Sequence, residues 1–374
     1  MVDKQKIKIC HLTSAHVRYD IRIFLKECCS LTKGNFNVHL VVADNKGDEL
    51  IENVNIFDVG KLEGRINRFL KTSNRVYKKG LKLDCDIYHI HDPELIPYGL
   101  KLKRKGKKVI FDAHEDLPKQ LKSKPYLSKF FRVLLPYIFE KYERYAFKKF
   151  DAILGATPYI STKISKINKN SHNINNFPII GELDNNQDWG TKKNEICYVG
   201  GSSIIRGIYQ IVDAMEFVKS DVVLNLVGGF NQANILPKLK ERKGWERVNY
   251  HGHVGRDEVS KIMARSKAGI VTFLGVPNHI DAQPNKMFEY MSAGLPLIAS
   301  NFPLWKDIVT KNKCGLTVDP KDSIAIAKTI DSIVLNIEES SRMGLNGKNA
   351  VLKKYNWQQE ELKLINIYNN LIKL

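Results

Sequence analysis

The chain has 374 residues, of which 43% are hydrophobic and 26% are charged, and its formal net charge at pH 7 is +19. This composition excludes a wholly disordered chain, and the length is sufficient for two domains that each bury a core. The longest apolar runs, 133–139 and 269–276, are too short for a membrane-spanning helix, which needs roughly 18 residues. Lysines interrupt the first apolar segment, so we expect no secretory signal.

The positive charge is concentrated in the first half of the chain. Residues 1–180 contain 34 basic and 19 acidic side chains, a net charge of +15, whereas residues 181–374 contain 25 and 21. A surplus of this size favours an anionic partner for the first half. The six cysteines form no Cys-x-x-Cys pair. This pattern indicates buried thiols in a reducing compartment, so we expect a cytoplasmic protein.

Short apolar strands alternate with helices through the first half. The predicted strands are residues 7–12, 38–43, 86–91, 109–111 and 151–155, and the clearest helices are 21–32 and 95–105. This alternation predicts parallel β-α-β units in an open, doubly wound sheet. Residues 173–186, rich in Asn, Pro, Gly and Asp, indicate a linker.

The alternation begins again after the linker. The predicted strands are residues 195–200, 222–228, 248–252, 269–274, 297–300 and 316–318. We therefore predict an α/β protein with two Rossmann-like, doubly wound domains, 1–178 and 179–356, facing each other across a ligand-binding cleft. A last helix, 357–374, has an apolar face that we expect to dock back toward the N-terminal domain.

The strand at 195–200 ends in a glycine pair that suits phosphate binding. Gly200 and Gly201 allow a ligand to approach the backbone closely, and the amides of the helix that follows carry positive partial charge. Arg206 adds a cation with several donors. A tight strand-to-helix turn needs glycines with or without a ligand, so a purely structural turn remains the alternative for this pair.

A short helix between Pro284 and Gly294 carries a polar face and an apolar face. Pro284 suits a helix start, and Gly294 suits the position just past the end. Asn285 and Glu289 lie four residues apart, opposite the apolar side chains. Glu289 is therefore either an ordinary solvated carboxylate or a ligand-binding one.

Ionisable residues crowd the end of the strand at 109–111. They are Asp112, His114, Glu115 and Asp116, with Asp92 and Glu94 after the preceding strand. Clustered carboxylates cost stability unless something binds them, although each could instead cap a turn. His89, His91 and His114 could bind a metal, but no second spaced pair accompanies them, and we expect no metal.

Several of these motifs together resemble a known family. The loop Gly200-Gly201-(x)4-Arg206, the spacing Asp281-(x)7-Glu289 and the run Glu289-Tyr-Met-Ser-Ala-Gly-Leu-Pro are similar to those of retaining, nucleotide-sugar-dependent glycosyltransferases of family 4, which have the GT-B fold. The segments 20–27 and 112–116 resemble those of members that build bacterial surface polysaccharides. The resemblance covers essentially the whole chain.

The resemblance implies a role for each matched residue. Glu289 would bind the ribose hydroxyls of a UDP- or GDP-sugar, and Asp281, where the family normally has glutamate, would contact the transferred sugar. His114 would lie against the same sugar, and these three are the expected catalytic residues. The expected donor-binding residues are Gly200, Gly201, Arg206, Asn285, Lys286 and Glu289, and the acceptor-side candidates are Asp20, Arg22, Glu115 and Asp116.

The resemblance also implies the type of chemistry. The family lacks an obvious enzyme nucleophile, and by analogy the acceptor attacks on the face that the phosphate leaves. A cation and helix-end amides can stabilise the departing diphosphate without a metal. We therefore expect a hexosyl- or hexosaminyltransferase that retains configuration and needs no cofactor.

Two basic segments predict contact with an anionic membrane. Residues 101–108 contain six basic side chains and no acidic one, and residues 121–150 contain eight basic and two acidic side chains interleaved with aromatic residues. Such segments favour a peripheral location on the inner face of the cytoplasmic membrane and a lipid-linked acceptor, as in O-antigen or capsule synthesis. The alternative is that the aromatic residues pack into the domain core.

Other functions remain open at this point. A nucleotide-sugar epimerase or a phosphorylase could use the same architecture. The basic charge also suits a non-catalytic protein that binds membranes or nucleic acid. We expect no nucleic-acid partner, because no helix-turn-helix or RNA-recognition signature accompanies the charge.

Overall fold

The computed structural model describes residues 6–122, 128–183 and 188–373. Residues 123–127 of the predicted basic segment and 184–186 of the predicted linker therefore lie outside the described residues. The chain divides into two compact units. Unit 1 consists of Met1–Asn176 and Gln358–Leu374, and unit 2 of Phe177–Trp357.

Unit 1 is built on a largely parallel sheet. Its described strands are β1 (Lys8–Leu12), β2 (Asn37–Val42), β3 (Glu49–Ile51), β4 (Val54–Asp58), β5 (Ile87–Ile90), β6 (Lys108–Ala113), β7 (Ala152–Gly155) and β8 (Ser171–Asn173). They lie in the order β3-β4-β2-β1-β5-β6-β7-β8, and every pair is parallel except β3 with β4. Because β1, β5 and β6 are adjacent and parallel, the residues that follow them lie at one edge of the sheet.

Helices connect these strands. They are α1 (Cys29–Lys33), preceded directly by a π-helical segment (Ile21–Cys28), α2 (Arg65–Asn67), followed by a second π-helical segment (Arg68–Thr72), α3 (Ser73–Leu83), α4 (Ile96–Arg104), α5 (Leu117–Lys122), α6 (Lys129–Phe147) and α7 (Pro158–Ser165), with a 3-10 turn at Pro93–Leu95. Asp20 caps the first π-helical segment, because its carboxylate accepts hydrogen bonds from the backbone amides of Arg22 and Ile23.

Unit 2 contains a second sheet. Its described strands, all paired in parallel, are β9 (Glu195–Val199), β10 (Val223–Val227), β11 (Val248–Gly252), β12 (Ala268–Val271), β13 (Leu297–Ser300) and β14 (Gly315–Val318). The order is β11-β10-β9-β12-β13-β14. The turns after β9, β10 and β12 therefore lie next to one another.

The helices of unit 2 alternate with its strands. They are α8 (Ile208–Phe217), α9 (Ile235–Lys240), α10 (Arg256–Arg265), α11 (Pro277–Ile280), α12 (Asn285–Ser292), α13 (Pro303–Asn312), α14 (Ser323–Leu335) and α15 (Ile337–Lys353), with 3-10 turns at Trp189–Thr191, Ile204–Arg206 and Lys243–Arg247. A final helix, α16 (Trp357–Lys373), begins at the boundary and continues in unit 1.

Each unit has its own apolar core. In unit 1 the buried side chains come from the central strands and from the helices that cover them, and in unit 2 the core is formed in the same way. Helix α16 buries Tyr368 and Leu371 in unit 1, and its Glu360 carboxylate accepts a 3.0 Å hydrogen bond from the backbone amide of Asn175. The prediction of two doubly wound α/β units is confirmed.

In the parts of the chain that the structure describes, no helix combines the length and the apolar character needed to cross a bilayer.

Candidate active site

The turn after β9 packs closely against the turn after β10 in unit 2. Gly200 has φ +107° and Gly228 has φ +114°, and a Cβ atom on Gly228 would lie 2.5 Å from the carbonyl oxygen of Gly200. Only glycine fits this close approach of two backbone turns. The Gly201 carbonyl accepts hydrogen bonds from the Tyr198 hydroxyl at 3.1 Å and from Arg206 Nη1 at 2.6 Å, which fixes Arg206 beside the turn.

Lys286 lies next to this turn. Its Nζ is buried 3.6 Å above the centre of the Tyr198 ring and has no hydrogen-bond partner among the described residues. A Cβ atom on Gly200 would lie 3.6 Å from this Nζ. Burial first, and the charge of Arg206 second, hold the pKa of Lys286 well below its usual value. A buried lysine amine without a hydrogen-bond partner suits an anionic ligand, which would supply the missing counter-charge.

Glu289 is held by an arginine that the sequence analysis did not select. Arg256, at the start of α10, donates to Glu289 Oε1 at 3.0 Å through Nη1 and to Glu182 Oε1 at 2.8 Å through Nε. Between them the two carboxylates raise the pKa of Arg256, although burial alone would lower it. Glu289 is therefore neither a freely solvated side chain nor a core residue, because its side chain is 16% exposed and one of its oxygens is paired.

Helix α12 is positioned by contacts on its buried face. Tyr290 lies directly against β12, where a Cβ atom on Gly269 would come within 2.2 Å of its ring. The Tyr290 hydroxyl accepts a 2.8 Å hydrogen bond from the backbone amide of Val199, at the end of β9. These contacts fix the helix that carries Lys286 and Glu289 relative to the glycine turn.

Asp281 and Asn285 flank the short segment between α11 and α12. Asp281 ends α11 and is partly buried, and Asn285, the first residue of α12, is exposed. The indole nitrogen of Trp305 donates a 2.7 Å hydrogen bond to the carbonyl of Ala282, which anchors this segment. The structure thus brings Gly200, Gly201, Arg206, Lys286 and Glu289 into one region of unit 2. Asn285 begins the helix that carries Lys286 and Glu289, and Asp281 lies on the loop before it.

His114 belongs to a polar network at the carboxyl edge of the sheet in unit 1. Its Nε2 lies 2.8 Å from Asp112 Oδ2, and its side chain is 20% exposed. Asp112 is fully buried and receives two further hydrogen bonds of 2.8 Å from Arg22. The charge of Arg22 and the bonds from histidines hold the pKa of Asp112 well below its usual range, against the effect of burial.

The acceptor-side candidates separate into two groups. Asp20 and Arg22 join the network around Asp112, but Arg22 is 3% exposed, so its guanidinium holds other residues of unit 1. Asp116 is buried and pairs with Lys163 at 2.9 Å. Glu115 is exposed and accepts a hydrogen bond from Gln120.

His16 is a further member of the network. It follows β1 and lies 3.3 Å from Asp20 and 3.5 Å from Asp92. Burial alone would lower the pKa of His16, but these carboxylates raise it. No local signal marked Arg256, because Asp257 and Glu258 follow it in the same helix turn and make a basic residue unremarkable there. For His16 the sequence offered only its place in the loop after β1.

The two basic segments differ in how their charges are used. In 101–108, Lys103 pairs with Asp151, Lys107 pairs with Asp84, and Lys108 donates to the Leu371 carbonyl. Half of the six basic side chains are therefore engaged within unit 1.

Helix α6, in contrast, exposes an apolar face. Its residues that are about half exposed or more are Phe130, Phe131, Val133, Tyr137, Ile138 and Tyr145.

Two family models match consecutive parts of the chain. Residues 25–174 match the model described as Glycosyltransferase Family 4, and residues 180–350 match the model described as Glycosyl transferases group 1. An uncharacterized glycosyltransferase of Methanocaldococcus jannaschii is 24% identical over 202 residues, which are 50% of this chain and 50% of that protein. The chain thus spans about half the length of this relative.

Solved structures share the whole architecture. Sucrose-phosphate synthase from Thermosynechococcus elongatus superposes with a TM-score of 0.80 at 17% identity, covering 98% of this chain and 100% of that chain. Anabaena HepE in complex with UDP gives a TM-score of 0.71 at 13% identity, covering 99% of this chain and 100% of that chain. At these identities the likeness shows the fold, and the predicted GT-B fold is confirmed.

The two family models, both of glycosyltransferases, match residues 25–174 and 180–350 of this chain. These matches and the GT-B fold agree with the family 4 resemblance that the motifs carry.

Proposed function

We propose that the protein transfers a sugar from a UDP- or GDP-sugar to a lipid-linked glycan, with retention of configuration, in the synthesis of a bacterial surface polysaccharide. The observation that carries the donor half of this proposal is the buried Nζ of Lys286, which lacks a hydrogen-bond partner among the described residues and lies at the glycine turn. UDP is the first nucleotide to test, since HepE, which has the same fold, was solved with UDP.

The donor-site residues have distinct tasks in this proposal. Lys286 and Arg206 neutralise the charge that develops on the departing diphosphate, and the amides of the glycine turn add donors. Glu289 keeps one carboxylate oxygen on Arg256 and offers the other to the ribose hydroxyls. Asn285, at the exposed end of α12, contributes a side-chain amide to the same ligand.

The remaining tasks concern the sugar and the acceptor. His114 and Asp281 contact the transferred sugar, as the resemblance implies, and Asp112 orients His114 from 2.8 Å. The acceptor hydroxyl attacks on the face that the diphosphate leaves, and a diphosphate oxygen takes the hydroxyl proton. No metal takes part in this step, so turnover is independent of added Mg²⁺ or Mn²⁺.

The acceptor half of the proposal depends on α6. Its exposed apolar and aromatic side chains, with the basic residues of the same helix, are suited to the headgroup region of an anionic membrane. This would hold the enzyme at the cytoplasmic face, where a lipid-linked acceptor is presented.

Donor hydrolysis across a panel of UDP-, GDP- and TDP-sugars tests the activity, with Glu289→Gln as the diagnostic variant. A hydrogen bond to a charged group contributes about 1.5–3 kcal/mol, so the substitution is expected to raise KM for the preferred donor roughly 10- to 100-fold. Glu338→Gln, an exposed glutamate of the same unit, should leave KM unchanged.

Two results would count against these assignments. An unaltered KM in Glu289→Gln contradicts the ribose role. An epimerised nucleotide sugar, or phosphate-dependent release of a sugar phosphate from a glycan, would favour an epimerase or a phosphorylase instead.

A further inference from the structure

Unit 1 contains a fully buried group of three histidines and one glutamate, which we call the His–Glu cluster. It consists of His11 on β1, Glu27 in the first π-helical segment, His89 on β5 and His91 just after β5. None of the four is more than 3% exposed. Glu27 Oε2 lies 4.0 Å from His11 Nδ1, 3.8 Å from His89 Nδ1 and 4.0 Å from His91 Nε2, and His11 Nδ1 lies 2.9 Å from His91 Nε2.

These separations suit a single small cation. A tetrahedral zinc ion with donor distances of about 2.0–2.1 Å places its donor atoms about 3.4 Å from one another. The four measured separations lie on both sides of that value. Small adjustments of the side chains would therefore bring all four donor atoms to bonding distance of one ion.

The charge of the cluster also favours a cation. Neither carboxylate oxygen of Glu27 has a hydrogen-bond partner among the described residues, although Arg22 Nε lies 3.2 Å from Oε1. Glu27 and Asp112 are both fully buried, and both lie within 3.2 Å of the same guanidinium, that of Arg22, so two carboxylates share one positive charge. A buried carboxylate in this position is costly unless a cation compensates it.

The surroundings of His91 are typical of a metal-binding histidine. The second ring nitrogen of His91, Nδ1, lies 3.4 Å from Asp112 Oδ2. Histidines that bind metals commonly have such a carboxylate behind them.

We propose that the cluster binds one divalent transition-metal ion of the zinc type through His11, Glu27, His89 and His91. Imidazole and carboxylate donors suit such ions. The ion would join β1, β5 and the first π-helical segment beneath the network of Asp112 and His114, and it would stabilise unit 1 without entering the transfer reaction. Sequence spacing disfavoured a metal because His11 and Glu27 are remote from His89 and His91 along the chain.

The hydroxyl of Tyr368 on α16 borders the proposed site. It lies 2.8 Å from His89 Nδ1, so an ion on this nitrogen would compete with the hydroxyl for it. We therefore expect Tyr368→Phe to keep the ion, because the hydroxyl is a neighbour of the donor set and not one of its four members.

Metal analysis of the full-length protein, purified without chelators and with any affinity tag removed, tests this inference. The expected result is about one zinc-type ion per chain, a fall in unfolding temperature of several degrees after chelation, and recovery on addition of Zn²⁺. Replacement by Co²⁺ should give the visible absorption of a four-coordinate ion. Glu27→Gln and His91→Gln should each reduce the ion content at least fivefold.

A matched control and the wild-type measurements keep the inference open to refutation even if a cluster variant fails to fold. His39→Gln, on the neighbouring strand β2, should keep the full ion content. A wild-type protein that holds no ion after exposure to Zn²⁺ or Co²⁺ and gains no stability would overturn the proposal and indicate a proton on Glu27 instead. Equal loss of the ion in His39→Gln would also overturn it, because the ion would then lie elsewhere. Neither outcome bears on donor hydrolysis, which tests the proposed function separately.

Discussion

The surroundings of Lys286 disfavour a positive charge on its amine, although the proposed donor site needs that charge to bind a diphosphate. Burial and the nearby Arg206 both lower the pKa of Lys286, and Tyr198 offers only the face of its ring. A diphosphate would supply the missing counter-charge and raise this pKa again. Binding of the nucleotide is therefore expected to be linked to uptake of a proton.

The sign of this linkage can be measured. Between the lowered pKa of the free site and the raised pKa of the occupied site, UDP binding takes up a proton, so affinity should fall as the pH rises through this interval. Calorimetry at pH 8 in two buffers of different ionisation enthalpy measures the number of protons, with an expected value between zero and one. Lys286→Met should remove the uptake and weaken binding, whereas Lys306→Met, on helix α13, should change neither.

One calorimetric result would refute the coupling between UDP binding and proton uptake. Identical binding enthalpies in both buffers for the wild-type protein would mean that Lys286 keeps its proton without ligand.

The residues of the proposed donor site were selected from the sequence at the scale of single residues, but the residues that support them were not. The glycine turn, Arg206, Lys286 and Glu289 follow from short, local spacings. Arg256 lies 33 residues from Glu289 in the chain and 74 from Glu182. Pairings of this length depend on the sheet order, which no local pattern contains, and the same holds for the His–Glu cluster.

At the scale of elements, the strands of the sheet interiors were the most predictable. Their apolar runs are nearly continuous, because both faces are covered by helices. The hairpin of β3 and β4 and the edge strand β8 were missed. The turn residues of that hairpin, Glu52 and Asn53, have φ of +50° and +59°, and a Glu-Asn pair is a weak signal for such a turn.

Helix α6 bears on whether residues 121–150 contact a membrane or pack their aromatic residues into the domain core. Phe147 is buried in the core of unit 1, and Phe139 and Tyr142 pack against that core, as the core interpretation predicts. Phe130 and Val133, in contrast, are 68% and 73% exposed. Near an anionic leaflet each basic residue contributes about 1 kcal/mol, and apolar burial adds roughly 25 cal/mol per Å². The wild-type protein should therefore sediment with phosphatidylglycerol vesicles at low salt and much less at high salt.

Variants make this test specific to the helix. Phe130→Ser combined with Val133→Ser should lower partitioning about tenfold or more. Leu335→Ser combined with Leu345→Ser removes two similarly exposed apolar side chains from unit 2 and should have no effect. If the wild-type protein stays in the supernatant at both salt concentrations, or if both double variants lose binding equally, α6 is not a membrane-binding element.

At the scale of the whole molecule, the two proposed ligands belong to different units. The nucleotide site uses residues of Phe177–Trp357, and the His–Glu cluster uses residues of Met1–Asn176. Each unit has a separate apolar core, so a ligand is expected to stabilise first the unit that holds it.

Hydrogen exchange of the full-length protein can follow both ligands together. UDP in excess should slow exchange in peptides that contain residues 196–207 and 285–292, whereas chelation of the metal should speed exchange in peptides that contain 8–12 and 87–91. The Lys286→Met and Glu27→Gln variants should each remove one response and keep the other. UDP protection confined to unit 1 would contradict the donor site, and chelation without effect on those strands would contradict the metal site. Because the responses fall in different peptides, either proposal can fail without the other.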